Sequence, residues 1–151
     1  MIQRKQTLFL FQLIFFGIAL LFISSKTVTT SNASIDIALV PAASNSFQST
    51  LGHLAAIGLN LLGLILTFIT IFLFKKRELQ IKLCYGLMLI WLTISLMILF
   101  CPFVKKSDGI PVEVVNYFSA ILGLMAIVAV WFAINFIKKD IELIKSADRI
   151  R

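Results

Sequence analysis

Four long apolar runs, separated by polar stretches, set the pattern of this chain. The clearest is Leu51 to Phe74, 24 residues without a fixed charge, longer than the roughly 20 that a helix needs to cross the hydrocarbon core of a bilayer. Three further runs, about 7–23, 83–103 and 114–137, repeat the theme. Pro102 removes a backbone donor and ends the third as a helix. The pattern predicts an all-α membrane protein, a single domain over 1–151 built as a four transmembrane helix bundle.

The polar stretches carry their own signals. Residues 24–50 are rich in Ser, Thr and Asn and suit an external loop. Within it Ile35, Ile37 and Leu39 alternate with Asp36 and Ala38, a period of two that fits a short β-hairpin, with Thr27 to Thr30 as the partner strand. Lys75 to Lys82 makes an eight-residue connection, short enough to hold the second and third helices as an antiparallel pair. Val104 to Glu113, punctuated by Ser107, Asp108, Gly109 and Pro111, reads as a compact outer turn. The tail, 138–151, keeps a helical period. Ile137, Ile141, Ile144 and Ala147, with Leu143 and Ile150, form an apolar half against Lys138, Glu142, Lys145 and Arg149, the signature of an amphipathic C-terminal helical tail. Asp140, Asp148 and Arg151 fall towards the apolar side, which fits either contact with the basic N-terminus or a partner protein, or a tail resting among lipid headgroups; the second reading is the simpler.

The first run has two readings. Arg4 and Lys5 precede it, as in a signal peptide, but its 17 residues exceed the 7–15 of a secretory apolar region, and Ser24-Ser25-Lys26 makes a weak cleavage site. An uncleaved anchor is the better fit. Gln12 and Ala19 share a helical face that is expected to point at neighbouring helices, with a snorkelled or lipid-facing Gln12 as the alternative.

Small and polar residues inside the runs are not scattered. Gly52, Ala56, Asn60, Gly63, Thr67 and Thr70 fall three or four apart along one face of the second span, and Asn116, Ser119, Gly123, Ala126, Val130 and Ala133 do the same in the fourth. In lipid, where apolar helices gain nothing by hiding from water, such smooth faces permit close packing and interhelical hydrogen bonds. A structural seam is favoured over a substrate or ion path, and the Gly52 to Thr70 face marks the second helix as the expected centre of packing.

Composition narrows the class further. With 60% hydrophobic and 14% charged residues and a mean hydropathy of +1.00, the chain lies outside the range of soluble globular domains. Its net charge of +7 sits in clusters that border the apolar runs, which fits anionic headgroups and argues against nucleic acid. Eleven Lys and Arg fall in the N-terminal segment, the 75–82 connection and the tail, against three (Lys26, Lys105 and Lys106) on the other side. The excess places both termini in the cytoplasm.

Candidate chemistry changes little. Cys84 and Cys101 lie 17 residues apart in one run, about 25 Å along a helix, too far to bridge. His53, the only histidine, opens the second span without carboxylate or cysteine companions at ligand spacing; interfacial anchoring is favoured over proton sensing. No metal or other cofactor is expected, and no pair of carboxylates, Cys–His pair or metal cluster points to an enzyme. All four runs lack an intramembrane charge of the kind that proton-coupled carriers and cation pathways keep.

The two ends carry a resemblance. Met1-Ile2-Gln3-Arg4 with Gln6-Thr7, and Ile137-Lys138-Lys139-Asp140 followed by Ser146 to Arg151, are similar to the start and close of the integral membrane proteins grouped as Domain of Unknown Function 4293, typical of Bacteroidetes. Ile141 stands where that family's tail is expected to carry an acidic residue. The resemblance implies a multi-pass location in the bacterial inner membrane and no assigned activity. The resulting expectation is a non-enzymatic scaffold or accessory subunit that docks a membrane or cytoplasmic partner through Arg4, Asp140, Asp148, Arg149 and Arg151. The alternative is a small transporter or channel subunit, a homo-oligomer joined through the seams of the second and fourth helices.

Overall fold

The computed structural model describes residues 3–30, 33–39, 51–73, 76–101 and 112–149. Four helices, α1 (Gln3–Phe22), α2 (Leu51–Phe72), α3 (Arg77–Phe100) and α4 (Tyr117–Arg149), are joined to three strands, β1 (Ser24–Thr30), β2 (Ala33–Ala38) and β3 (Val112–Val115). Leu51–Phe72, Arg77–Phe100 and Tyr117–Ile144 are each long and apolar enough to cross a membrane; the apolar part of α1, Thr7–Phe22, is shorter.

The helices pack as a ring in chain order, each against its two neighbours, with α1 closing against α4. Successive members run antiparallel. The reason lies in one spacing used four times. Buried positions on α3 are Gln80, Cys84, Leu87, Trp91, Ile94, Ser95 and Ile98, and on α2 His53, Ala56, Asn60, Gly63, Thr67 and Thr70. Leu10, Leu13, Gly17 and Leu20 line α1, and Ser119, Gly123, Ala126, Val130, Ala133 and Ile137 line α4. Alternating steps of three and four keep one stripe facing inward along a gently supercoiled helix. A second apolar stripe faces outward: Leu8, Phe11, Phe15, Ile18 and Phe22 on α1 are all exposed. Helices apolar on both faces are at rest only when their solvent is apolar too.

The sheet closes one end of the ring, and the α2–α3 turn marks the other. Strand order is β2-β1-β3, both pairs antiparallel, with Thr27 opposite Asp36 on one side and Val114 on the other. The register shifts between Ser24 and Lys26, leaving Ser25 out of the β1–β2 ladder. An extra residue of this kind is freed for other partners. Here its carbonyl accepts from the Asn116 N–H at 3.1 Å and lies 3.4 Å from the Ser119 hydroxyl, tying the sheet to the start of α4.

Several expectations are corrected. The hairpin gains a third strand, because Val112–Val115 pairs with β1; α4 therefore starts at Tyr117, not at 114, after Asn116 Oδ1 accepts from the Phe118 N–H as an N-cap. The third helix begins at Arg77 rather than 83. Arg, Glu, Leu, Gln and Lys are strong helix formers, so a charged stretch that hydropathy reads as a loop continues the helix. The first helix likewise reaches back to Gln3; the fourth continues through the tail to Arg149, in keeping with the tail's helical period. α2 is not the centre of packing: α4 makes the more extensive contacts, with α1, α3 and β1, and α2 lies across the ring from it. Gln12 is exposed, which fits the outward-facing alternative rather than a contact with a neighbouring helix. The turn at residues 104–111 and the loop 40–50 lie outside the described residues.

Candidate functional site

At the turn end, three elements converge. Phe9 of α1 stacks against Phe132 and Phe136 of α4 at 5.5 and 5.4 Å, which brings the N-terminal turn of α1 beside the late part of α4. Arg77, the first residue of α3, donates from its guanidinium to the Asp140 carbonyl at 3.3 Å. One turn later Gln80 Nε2 donates to the Thr70 carbonyl at 3.2 Å, meeting an orphan acceptor near the C-terminus of α2. Lys138 Nζ stands 3.1 Å from the Tyr85 hydroxyl and 5.7 Å from the centre of its ring.

Past Asp140, no helix among the described residues stands level with α4. The pairs Ser95 with Gly123 and Arg77 with Asp140 set an antiparallel register in which α3 has run out where Asp140 stands. Nine more residues, Ile141 to Arg149, continue the helix, about 13 Å beyond the ring at 1.5 Å per residue. Leu143 and Ile144 on this extension are exposed, while Ile141 packs back against the core.

The residues expected to dock a partner are divided by this arrangement. Asp140 is buried against its own chain and presents no surface to a partner. Arg4 stands in the first turn of α1, and Asp148 and Arg149 in the last turn of α4, so the helices bring their backbones to the same end; their side chains lie outside the described residues, as does Arg151.

The residues expected to form seams are turned into the ring. Ala56, Asn60, Gly63 and Thr67 are buried on α2, Ser119, Gly123 and Ala126 on α4, and Gly52 is half-buried. Burial inside one chain removes these two faces as surfaces for joining a second copy. Their hydroxyls bond locally: Thr67 and Thr70 donate to the carbonyls of Gly63 and Leu66 at 2.7 Å, and Ser95 on α3 donates to the Trp91 carbonyl at 2.8 Å. Back-bonding to residue i−4 satisfies a hydroxyl without a partner helix. Close approach is thus steric in origin. A Cβ on Gly123 would collide with Ser95 Oγ, and one on Gly17 would stand 2.6 Å from Leu64 Cδ2.

At the sheet end stands a cation that charge counting placed in a loop. Lys26 is buried, and its ammonium donates to the Cys101 carbonyl at 2.6 Å, just past the last turn of α3. A positive charge there meets both an orphan carbonyl and the negative end of the helix dipole. The signal in the sequence was a lone Lys in a stretch otherwise almost free of charge. Gln80 was missed because it was assigned to a loop, although it opens the same three-and-four stripe as Cys84, Leu87 and Trp91. Among the described residues no cluster of three His, Cys, Asp or Glu has the arrangement of a metal site. His53 is buried at the start of α2.

Compared with known proteins, residues 2–150 match a family model described as "Domain of unknown function (DUF4293)". No curated protein and no solved structure matches the chain.

Proposed function

The chain belongs to the family described as Domain of unknown function (DUF4293), and from that premise we propose that it is a non-enzymatic scaffold or accessory subunit of a bacterial inner membrane. In this reading α1 joins the other three helices as a fourth span of a transmembrane bundle, and both termini face the cytoplasm. The apolar part of α1, Thr7–Phe22, is shorter than the other three spans, about 24 Å against a hydrocarbon core of about 30 Å, a mismatch that local thinning of the bilayer accommodates. The excess of Lys and Arg at the turn end supports that orientation, and the sheet then faces outward.

The observation that carries the docking role is the overhang of α4. A helix that continues for two and a half turns past its neighbours, with Leu143 and Ile144 exposed and its basic and acidic residues mixed, is a surface in search of a partner. The beginning of α1 reaches the same end of the ring, and its sequence there carries Arg4 and Lys5. A second protein, in the membrane or at its cytoplasmic face, is the partner this surface suits. The alternative of a transporter or channel subunit has less support, since the faces that would join its copies are used within one chain.

The test is photo-crosslinking in native membranes from an unnatural residue at 143 or 144, with one at Leu124, exposed on the membrane-spanning part of α4, as the comparison. The docking role expects a discrete polypeptide of different sequence captured from 143 or 144 and not from 124. Capture of this chain alone would count against it.

A further inference from the structure

The first helix carries two stripes. Leu10, Leu13, Gly17 and Leu20 face the ring, while Leu8, Phe11, Phe15, Ile18 and Phe22 face away from it. The outer set advances by three, four, three and four residues, the spacing with which two parallel helices mesh their side chains along a left-handed seam.

Beside that outer stripe stands an amide. Gln12 is exposed and makes no hydrogen bond with any of the described residues. Thr93, exposed on α3, differs, because its hydroxyl donates to the Leu89 carbonyl of its own helix at 2.8 Å. Gln12 follows Thr7, where the apolar part of α1 begins, by five residues, which sets it about 7.5 Å further along the helix. A polar group in hydrocarbon is costly unless something bonds it, and glutamine is among the side chains that bond across helices in lipid.

Helix length points the same way. The apolar part of α1 is shorter than the other three spans, so lipid must thin along its outer face. Pressing two such faces together removes that lipid from both, provided the partner is equally short. A second copy of this chain meets the condition by identity, and in the same orientation it brings its own α1 to the same depth.

We propose that two copies of this chain pair in the membrane through the outer face of α1, parallel about a twofold axis along the membrane normal. In the three-and-four spacing, Gln12 of one copy stands across the seam from Thr7 of the second copy, and the twofold repeats the contact. A helical side chain leans towards its own N-terminus, which carries the Gln12 amide towards the level of that threonine. A hydroxyl oxygen has two lone pairs, so it accepts from the amide whatever its own proton does. The inference rests on α1 being the fourth span proposed above, and it uses a face that neither the ring nor the α4 overhang occupies.

Single thiols test it, in a background of Cys84→Ala and Cys101→Ala. Ile18→Cys and Leu62→Cys place a thiol at nearly the same depth, since Gly17 of α1 meets Leu64 of α2, and the two positions are 45% and 46% exposed. The full chain in vesicles of phosphatidylethanolamine and phosphatidylglycerol is oxidised with copper phenanthroline. A disulfide-linked dimer is expected from Ile18→Cys and not from Leu62→Cys. Adding Gln12→Leu is expected to lower the dimerisation constant, read from yield against protein-to-lipid ratio, by about tenfold; the position is exposed, so the ring's own packing is untouched. Equal yields from the two thiols, or a yield from Ile18→Cys that ignores Gln12→Leu, overturn the proposal. So does the same oxidation in native membranes if it joins Ile18→Cys to a polypeptide of different sequence. Labelling of Ile18→Cys by a membrane-impermeant maleimide in opened vesicles overturns the span and the dimer together, whereas a shielded thiol that yields no dimer overturns the dimer alone.

Discussion

Gly123→Ala adds one methyl where α3 and α4 touch, and the structure gives its consequence in ångströms. The new Cβ would overlap Ser95 Oγ and stand 3.3 Å from Ser95 Cβ and 3.7 Å from its Cα. Turning the Ser95 side chain away relieves only the first contact and breaks the hydroxyl's 2.8 Å bond to the Trp91 carbonyl, a loss of about 0.5–1.5 kcal/mol. The 3.3 Å contact with Ser95 Cβ still asks α3 and α4 to give by a few tenths of an ångström, while the 3.7 Å to its Cα is an ordinary contact; inserting a methylene into a packed interior costs about 1–3 kcal/mol. Against this, alanine gains about 0.8–1 kcal/mol over glycine in a helix. A net loss of roughly 0.5–3.5 kcal/mol is expected in reversible unfolding in mixed micelles. The sharper readout is the double-mutant cycle with Ser95→Gly, which removes the colliding atoms. In that background Gly123→Ala is expected to stabilise, giving a coupling of about 1–3 kcal/mol. An effect of the same sign and size in both backgrounds would show that α3 and α4 do not meet through these residues, and would refute this mode of packing.

Two further outcomes follow from the sheet end. Lys26→Met leaves the Cys101 carbonyl without its ammonium; a loss of about 1.5–3 kcal/mol and faster hydrogen exchange at the last turn of α3 are expected, and unchanged stability would mean that the 2.6 Å contact contributes nothing. A membrane-impermeant maleimide added outside intact cells is expected to label partly exposed Cys101 and to reach buried Cys84 only after denaturation; prior labelling of Cys84 alone would reverse the proposed orientation.

Residue pattern alone made most of the helical architecture legible. Leu51–Phe72 stands within two residues of its expected end, and of the hairpin signal Ile35 and Ile37 fall in β2 with Leu39 just after it. What escaped was non-local. Val112–Val115 carries a strand pattern only four residues long, too short to separate from the apolar run that follows it, and its role depends on β1, far upstream. Arg77 to Lys82 was lost to the opposite error, since charge outweighed helix propensity in a stretch whose Gln80 is buried. Helical period already set Asp140 towards the apolar side of the tail, but only the packing shows that this side is buried against the chain itself.

The sequence by itself determined that four apolar runs form helices, with stripes at steps of three and four and polar residues concentrated in two of them. Those properties repeat within a few residues and need no knowledge of the rest of the chain. Only the tertiary structure decided what the stripes face. It turned the α2 and α4 seams into one ring, set Trp91 beside Gly63, brought Lys26 to the end of α3, and left the last turns of α4 without a helical neighbour among the described residues. Each of these depends on a distance between residues far apart in the chain, which packing sets and no local periodicity encodes.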